Sequence, residues 1–155
     1  MLEGVGRDMA EVKVSDSEWE IMRVIWTQGD VTAQKVIDAL ADEMHWKDAT
    51  VKTLLGRLVK KGMLSTTRDG KCFIYHPLVS EKETVKSATE TLFAHICARK
   101  MGHALADIIE RAVLSKEDVA LLEQVLQEKT AVDEVACDCI PGQCECNDHC
   151  HASKA

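Results

Sequence analysis

Val51, Leu54, Leu55, Leu58 and Val59 recur at i, i+3, i+4, i+7 and i+8, a spacing that lines up apolar side chains on one face of a helix. A helix over about 47–61 is therefore committed to burying that stripe, and its opposite side is fixed with it. That side carries Ala49, Thr50, Lys52, Thr53, Gly56, Arg57 and Lys60, with Lys47 at its start. Each is small, hydroxylated or basic, and none is acidic. Gly56 lowers helix stability by about 1 kcal/mol relative to alanine, so its position suits a close approach, whether of DNA or of a neighbouring helix.

Downstream, Asp69-Gly70 separates two short β-prone runs within 64–75, the strongest short-range signal for a hairpin. Arg68 and Lys71 flank its tip. Upstream, Ser15 and Glu18 have the spacing of a capping box, Trp19, Met22, Ile25 and Trp26 follow at helical intervals, and Gly29 closes the element. A second helix is expected from near Thr32, burying Val36, Ile37 and Leu40 and ending before His45. Three helices and a basic-tipped hairpin make a winged helix-turn-helix, its third helix suited to the major groove and its hairpin to the flanking backbone. The competing reading is an ordinary amphipathic helix with a solvated basic face; the hairpin weighs against it.

The formal net charge of −7 speaks at first against nucleic acid. Its distribution reverses that. From 44 to 75 seven basic residues (Lys47, Lys52, Arg57, Lys60, Lys61, Arg68, Lys71) face two acidic ones (Asp48, Asp69), whereas 81–155 holds eight basic and fourteen acidic. A local basic stripe is what a DNA-binding element needs.

Beyond Pro77 helical spacing returns. Ser80 and Glu83 form another capping box, with Val85, Ala88, Leu92, Phe93 and Ile96 continuing the stripe. After Gly102, Leu105, Ile108, Ile109, Ala112 and Val113 make a further one; Ser115 then caps a last helix with Val119, Leu122, Val125 and Leu126 inward. These helices are too few and too lopsided to close a core of their own, so they are expected to pair with a second copy, which would also present two reading helices to two half-sites. The expected fold is mainly α with a small β hairpin: a winged helix-turn-helix domain over 1–79, a helical dimerisation region over 80–130 and a Cys-rich metal-binding tail over 131–155.

In that tail Cys137-Asp138-Cys139 and Cys144-Glu145-Cys146 are separated by Ile140-Pro141-Gly142-Gln143. Alternate residues of an extended segment share a face, and Pro and Gly at the middle positions suit a type II turn, so the two pairs fold face to face. Four converging thiols are a metal-binding arrangement, soft sulfur selecting zinc or cuprous copper. A disulfide-stapled tail fits less well, because the seven cysteines are odd in number and five lie in the last nineteen residues. A structural zinc knuckle would more often use Cys-x2-Cys. The tighter Cys-x-Cys suits sulfurs shared between neighbouring cuprous ions.

The run 15–26 (Ser-Asp-Ser-Glu-Trp-Glu-Ile-Met-Arg-Val-Ile-Trp), the helix 50–62 and the Cys-x-Cys-x4-Cys-x-Cys tail together resemble the penicillinase-repressor family, and the tail resembles its copper-responsive branch, the CopY repressors. The resemblance covers about 12–146. It implies a dimeric repressor of copper-export genes whose zinc form holds an operator with an inverted TACA/TGTA repeat, released when cuprous ions delivered by a copper chaperone displace the zinc. It carries the metal ligands to Cys137, Cys139, Cys144 and Cys146, and the reading helix to Thr50, Lys52, Thr53 and Arg57. The sequence departs from the family twice. It continues into His149-Cys150-His151, an auxiliary zinc site or simply a solvated end. The β-lactam branch is switched off by cleavage at Asn-Phe, whereas the single asparagine here, Asn147, precedes Asp148.

Cys72 and Cys97 read as small buried hydrophobes, and His45, His76, His95 and His103 show no paired metal spacing. No arrangement of nucleophile, base and orienter is present, so no enzymatic activity is expected. At 155 residues with 46% apolar and 29% charged residues, the chain suits one domain of about 100 residues plus an appendage. No stretch has the length of a membrane span and 1–10 lacks the regions of a signal peptide, so a cytoplasmic protein without a membrane partner is expected. Two rivals to the repressor remain: a copper-buffering or copper-donating protein with a helical scaffold, and a repressor that senses thiol oxidation.

Overall fold

The computed structural model describes residues 12–145. Ser15 caps α1 (Asp16–Gln28) with both halves of the box formed: its hydroxyl accepts from the Glu18 N–H at 3.2 Å, and the Glu18 carboxylate accepts from the Ser15 N–H at 3.3 Å. Glu18 is nevertheless buried, 2% exposed, and takes the Lys61 ammonium at 2.5 Å. A buried carboxylate is tolerable only with such partners. One of the seven basic residues of 44–75 is thus turned inward, tying the start of α1 to the end of the third helix. Gly29, at φ +81°, ends α1 in a conformation that disfavours a Cβ.

Thr32 caps α2 (Ala33–Met44) through its hydroxyl, and His45 ends it in the left-handed region at φ 52°. The third helix, α3 (Asp48–Lys60), has Lys47 at its N-cap and buries Val51, Leu54, Leu55 and Leu58, with Val59 half-buried. Against these pack Ile21, Met22 and Ile25 of α1 and Val36, Ile37 and Leu40 of α2. The expected limits of the three helices hold to within a residue, but in α1 it is Ile21 rather than Trp19 that joins Met22 and Ile25 in the core, with Trp26 partly buried against it.

The hairpin is one strand richer than expected. β1 (Val31–Thr32), β2 (Leu64–Asp69) and β3 (Cys72–Pro77) form a sheet of order β1-β3-β2, with Val31 opposite Tyr75 and Leu64 opposite Pro77. With α1–α3 this sheet makes a winged helix. Its tip also differs in register. Asp69 pairs with Cys72, so the two-residue loop is Gly70-Lys71 with Gly70 at φ +63°, glycine taking the first loop position as in a II′ turn. Lys71 therefore stands on the tip itself and Arg68 one pair below it, opposite Phe73. Cys72 is exposed, not buried, because the end of the wing projects beyond the core.

The rest is helical: α4 (Glu81–Ala94), a 3-10 turn (Ala98–Lys100), α5 (Met101–Arg111) and α6 (Lys116–Glu128), and the chain divides into two compact units after Glu90. α4 stops two residues short of Ile96: the His95 N–H bonds Leu92 O and the Ile96 N–H bonds Phe93 O, tightening the last turn and releasing the chain. Gly102 lies inside α5 rather than before it. Ser115 and Asp118 complete a capping box on α6. Among the described residues no helix is long and apolar enough to cross a membrane.

Candidate nucleic-acid interface and candidate metal centre

With the apolar stripe of α3 committed to the core, Lys47, Ala49, Thr50, Lys52, Thr53, Gly56, Arg57 and Lys60 are all exposed. An added Cβ at Gly56 would meet nothing within 4 Å. A close approach by a neighbouring helix of this chain therefore does not account for the glycine. Thr53 donates its hydroxyl proton to Ala49 O at 2.9 Å, leaving the oxygen able to accept. Among the described residues, none of Lys47, Lys52, Arg57, Lys60 and Lys71 is in an ion pair, so their charge is available to an anion. On the wing, the Arg68 guanidinium lies 6.0 Å from the centre of the Phe73 ring and donates through Nε to Gly70 O at 3.1 Å. Both contacts hold it at the tip while its other N–H groups remain to be used. At the base of the wing, His76 joins Asp30 through Nδ1 and Thr67 through Nε2, each at 2.8 Å.

The C-terminal unit holds a second site. The Ile140–Gln143 turn forms as expected, the Gln143 N–H donating to Ile140 O at 3.1 Å with Gly142 at φ +92°, and it turns Cys144 back towards Cys137. Their sulfurs are 3.4 Å apart. Besides Cys139, the group includes Cys97, buried and read from sequence as inert, whose sulfur lies 3.6 Å from that of Cys137. The four sulfurs of Cys97, Cys137, Cys139 and Cys144 all fall within 4.8 Å of one another. A tetrahedral zinc ion with Zn–S near 2.3 Å sets its sulfurs about 3.8 Å apart. The donor set and its spacing therefore fit a thiophilic ion. Burial, then hydrogen bonding with Cys97, Cys144 and Cys137, pushes the Cys139 thiol well above its ordinary range. Thiols gathered this closely ionise together only against a cation.

Cys146, His149, Cys150 and His151 lie outside the described residues. Cys97 was missed because no second cysteine lies near it in sequence; its sulfur partner is forty residues away. Hydrogen bonding supports the juxtaposition. The Ala98 N–H donates to Asp138 Oδ1 at 2.8 Å, and the Arg99 guanidinium meets Glu134 at 2.9 Å.

Residues 14–128 match the family described as penicillinase repressor. An uncharacterized 16.5 kDa protein in the ptsI 3' region of Latilactobacillus sakei is 45% identical over 136 residues, covering 86% of this chain and 93% of that protein. The penicillinase repressor of Bacillus licheniformis is 29% identical over 116 residues, covering 75% and 91%. Among solved structures, a CopR repressor is 48% identical over 44% of this chain and all of that one, with a TM-score of 0.39.

Proposed function

The chain belongs to the penicillinase repressor family, and from that premise we propose that it is a copper-responsive transcriptional repressor of copper-export genes, of the CopY branch. The observation behind the metal half of this reading is the all-sulfur cluster of the C-terminal unit, a donor set that selects zinc and cuprous copper over harder ions. In this reading the zinc-loaded dimer holds an inverted-repeat operator. The tail thiols Cys137, Cys139, Cys144 and Cys146 then exchange zinc for cuprous copper, passed on by a copper chaperone, and the DNA is released.

On the DNA, Arg57 and the hydroxyls of Thr50 and Thr53 meet base edges from α3, and Ala49 suits a thymine methyl. Lys47, Lys52, Lys60, Arg68 and Lys71 neutralise phosphates, Lys52 being also within reach of a base. His149, Cys150 and His151 are an auxiliary zinc site in the same scheme. A gel shift with an inverted-repeat duplex tests the whole. Zinc should maintain the complex and cuprous copper, kept reduced, should dissolve it. Release by oxidant in the absence of metal would favour a thiol redox sensor, and no shift in any lane would favour a copper buffer.

Dimerisation is assigned to residues 80–130. α5 and α6 leave Leu105, Ile108, Ile109, Val125 and Leu126 between 42% and 66% exposed, apolar surface that a second copy would cover. A chain ending at residue 79 should fold, since the buried core of α1–α3 lies within it, but should bind operator at least tenfold more weakly. Sedimentation of the full chain as a monomer at operator-saturating concentration would sink this assignment.

A further inference from the structure

Within the C-terminal unit the tail is fastened to the connection between α4 and α5 at three successive residues. Cys97 meets the Cys137 sulfur, the Ala98 N–H meets Asp138 and Arg99 meets Glu134. These contacts align two strips of chain so that Cys97 joins Cys137, Cys139 and Cys144 in a group of four sulfurs among the described residues. Resting on the metal-responsive reading above but revising its zinc ligand set, we infer that Cys97 takes the place of Cys146 as the fourth thiolate of a single-ion site with Cys137, Cys139 and Cys144, so that metal binding clasps the tail onto the α4–α5 connection.

A clasp between Cys97 and Cys137 closes a loop of forty residues that contains both α5 and α6. Closing so long a segment removes much conformational freedom from the unligated chain, as a crosslink does. The four Cys-x-Cys thiols alone would instead close only their own turn and leave the helices untied. Asp138 and Arg99 are positioning residues here, since each holds the backbone beside a ligand without offering a sulfur.

The test uses the full-length chain, reduced and anaerobic, titrated with cobalt(II) as a spectroscopic stand-in for zinc. Thiolate-to-cobalt charge transfer scales with the number of sulfurs bound, and the d–d bands report tetrahedral geometry. In C146S/C150S the only thiols of the C-terminal unit are Cys97, Cys137, Cys139 and Cys144. That variant should keep the wild-type four-thiolate spectrum. C97S should lose about a quarter of the charge-transfer intensity, and its zinc affinity, measured by chelator competition, should fall by more than the ~10–100-fold typical of losing an outer-shell partner. A C146S/C150S spectrum reduced to three thiolates, with C97S unchanged, would overturn the clasp and leave the metal-responsive reading standing. Absence of any cobalt spectrum in the wild-type chain would overturn both. The C146S/C150S arm decides the matter even if removing the buried Cys97 unsettles the tail.

Discussion

Alanine at Thr50, Lys52, Thr53 and Arg57 together should reduce operator binding to the level of a scrambled duplex. A good bidentate contact with a base edge discriminates by about 1–3 kcal/mol, so Arg57→Ala alone should cost roughly 5–150-fold, and the set on the order of a thousandfold. The substitutions should leave folding nearly untouched, because all four side chains are exposed and surface changes of this kind stay within about 0.5 kcal/mol. The wing behaves differently in the same assay. Arg68→Ala and Lys71→Ala should weaken binding to every sequence alike, each lowering the slope of log affinity against log salt by about one unit. Lys61→Ala provides the control. Its ammonium is spent on the buried Glu18, so it should reduce stability while leaving the salt slope unchanged. Fluorescence anisotropy over a salt series, with operator and scrambled duplexes, separates these outcomes. Full operator preference in the quadruple variant would remove α3 as the reading element.

The features legible in the sequence are those set by short-range spacing. The stripe of α3 repeats within two turns, Ser15 and Ser115 sit three residues from their carboxylate partners, and the Pro141-Gly142 turn needs only its own residues. β1 was hidden because two residues have no period to read; Val31 and Thr32 become a strand only when β3 is beside them. Hairpin register eluded the Asp-Gly signal for a related reason. The loops Asp69-Gly70 and Gly70-Lys71 differ by one residue, and pairing along β2 and β3, from Leu64 opposite Pro77 to Asp69 opposite Cys72, decides between them. At the metal site the turn was predictable, but Cys97 was not. An isolated cysteine between helices has the same local pattern whether it meets leucines or sulfurs, and the contact that distinguishes the two is made forty residues along the chain.

Serine at Cys137, Cys139, Cys144 and Cys146 should abolish the response to copper altogether, with operator affinity the same in zinc, in cuprous copper and with neither. Serine keeps the shape but presents a hard hydroxyl that stays protonated at neutral pH, so a soft ion loses its ligands. Apparent free energies of about 10–16 kcal/mol accompany all-ligand structural zinc sites; removing the tail thiols should take most of that away, leaving no tight zinc binding in chelator competition. The winged helix should remain folded, because its core is built from α1, α2, α3 and the start of β2 without any of these cysteines; circular dichroism and the denaturation midpoint report this directly. The variant also addresses how exchange of one metal for another can act at all. Four thiolates with one zinc ion carry formally −2, and the same thiolates with two cuprous ions again carry −2. Electrostatic repulsion of phosphate is therefore no different in the two states, and release has to come from geometry, a single tetrahedron giving way to ions that take fewer sulfurs each. If the variant still left its operator on addition of cuprous copper, the response would reside in thiols outside the Cys-x-Cys pairs, Cys72, Cys97 or Cys150, and the tail would be a metal store rather than the switch.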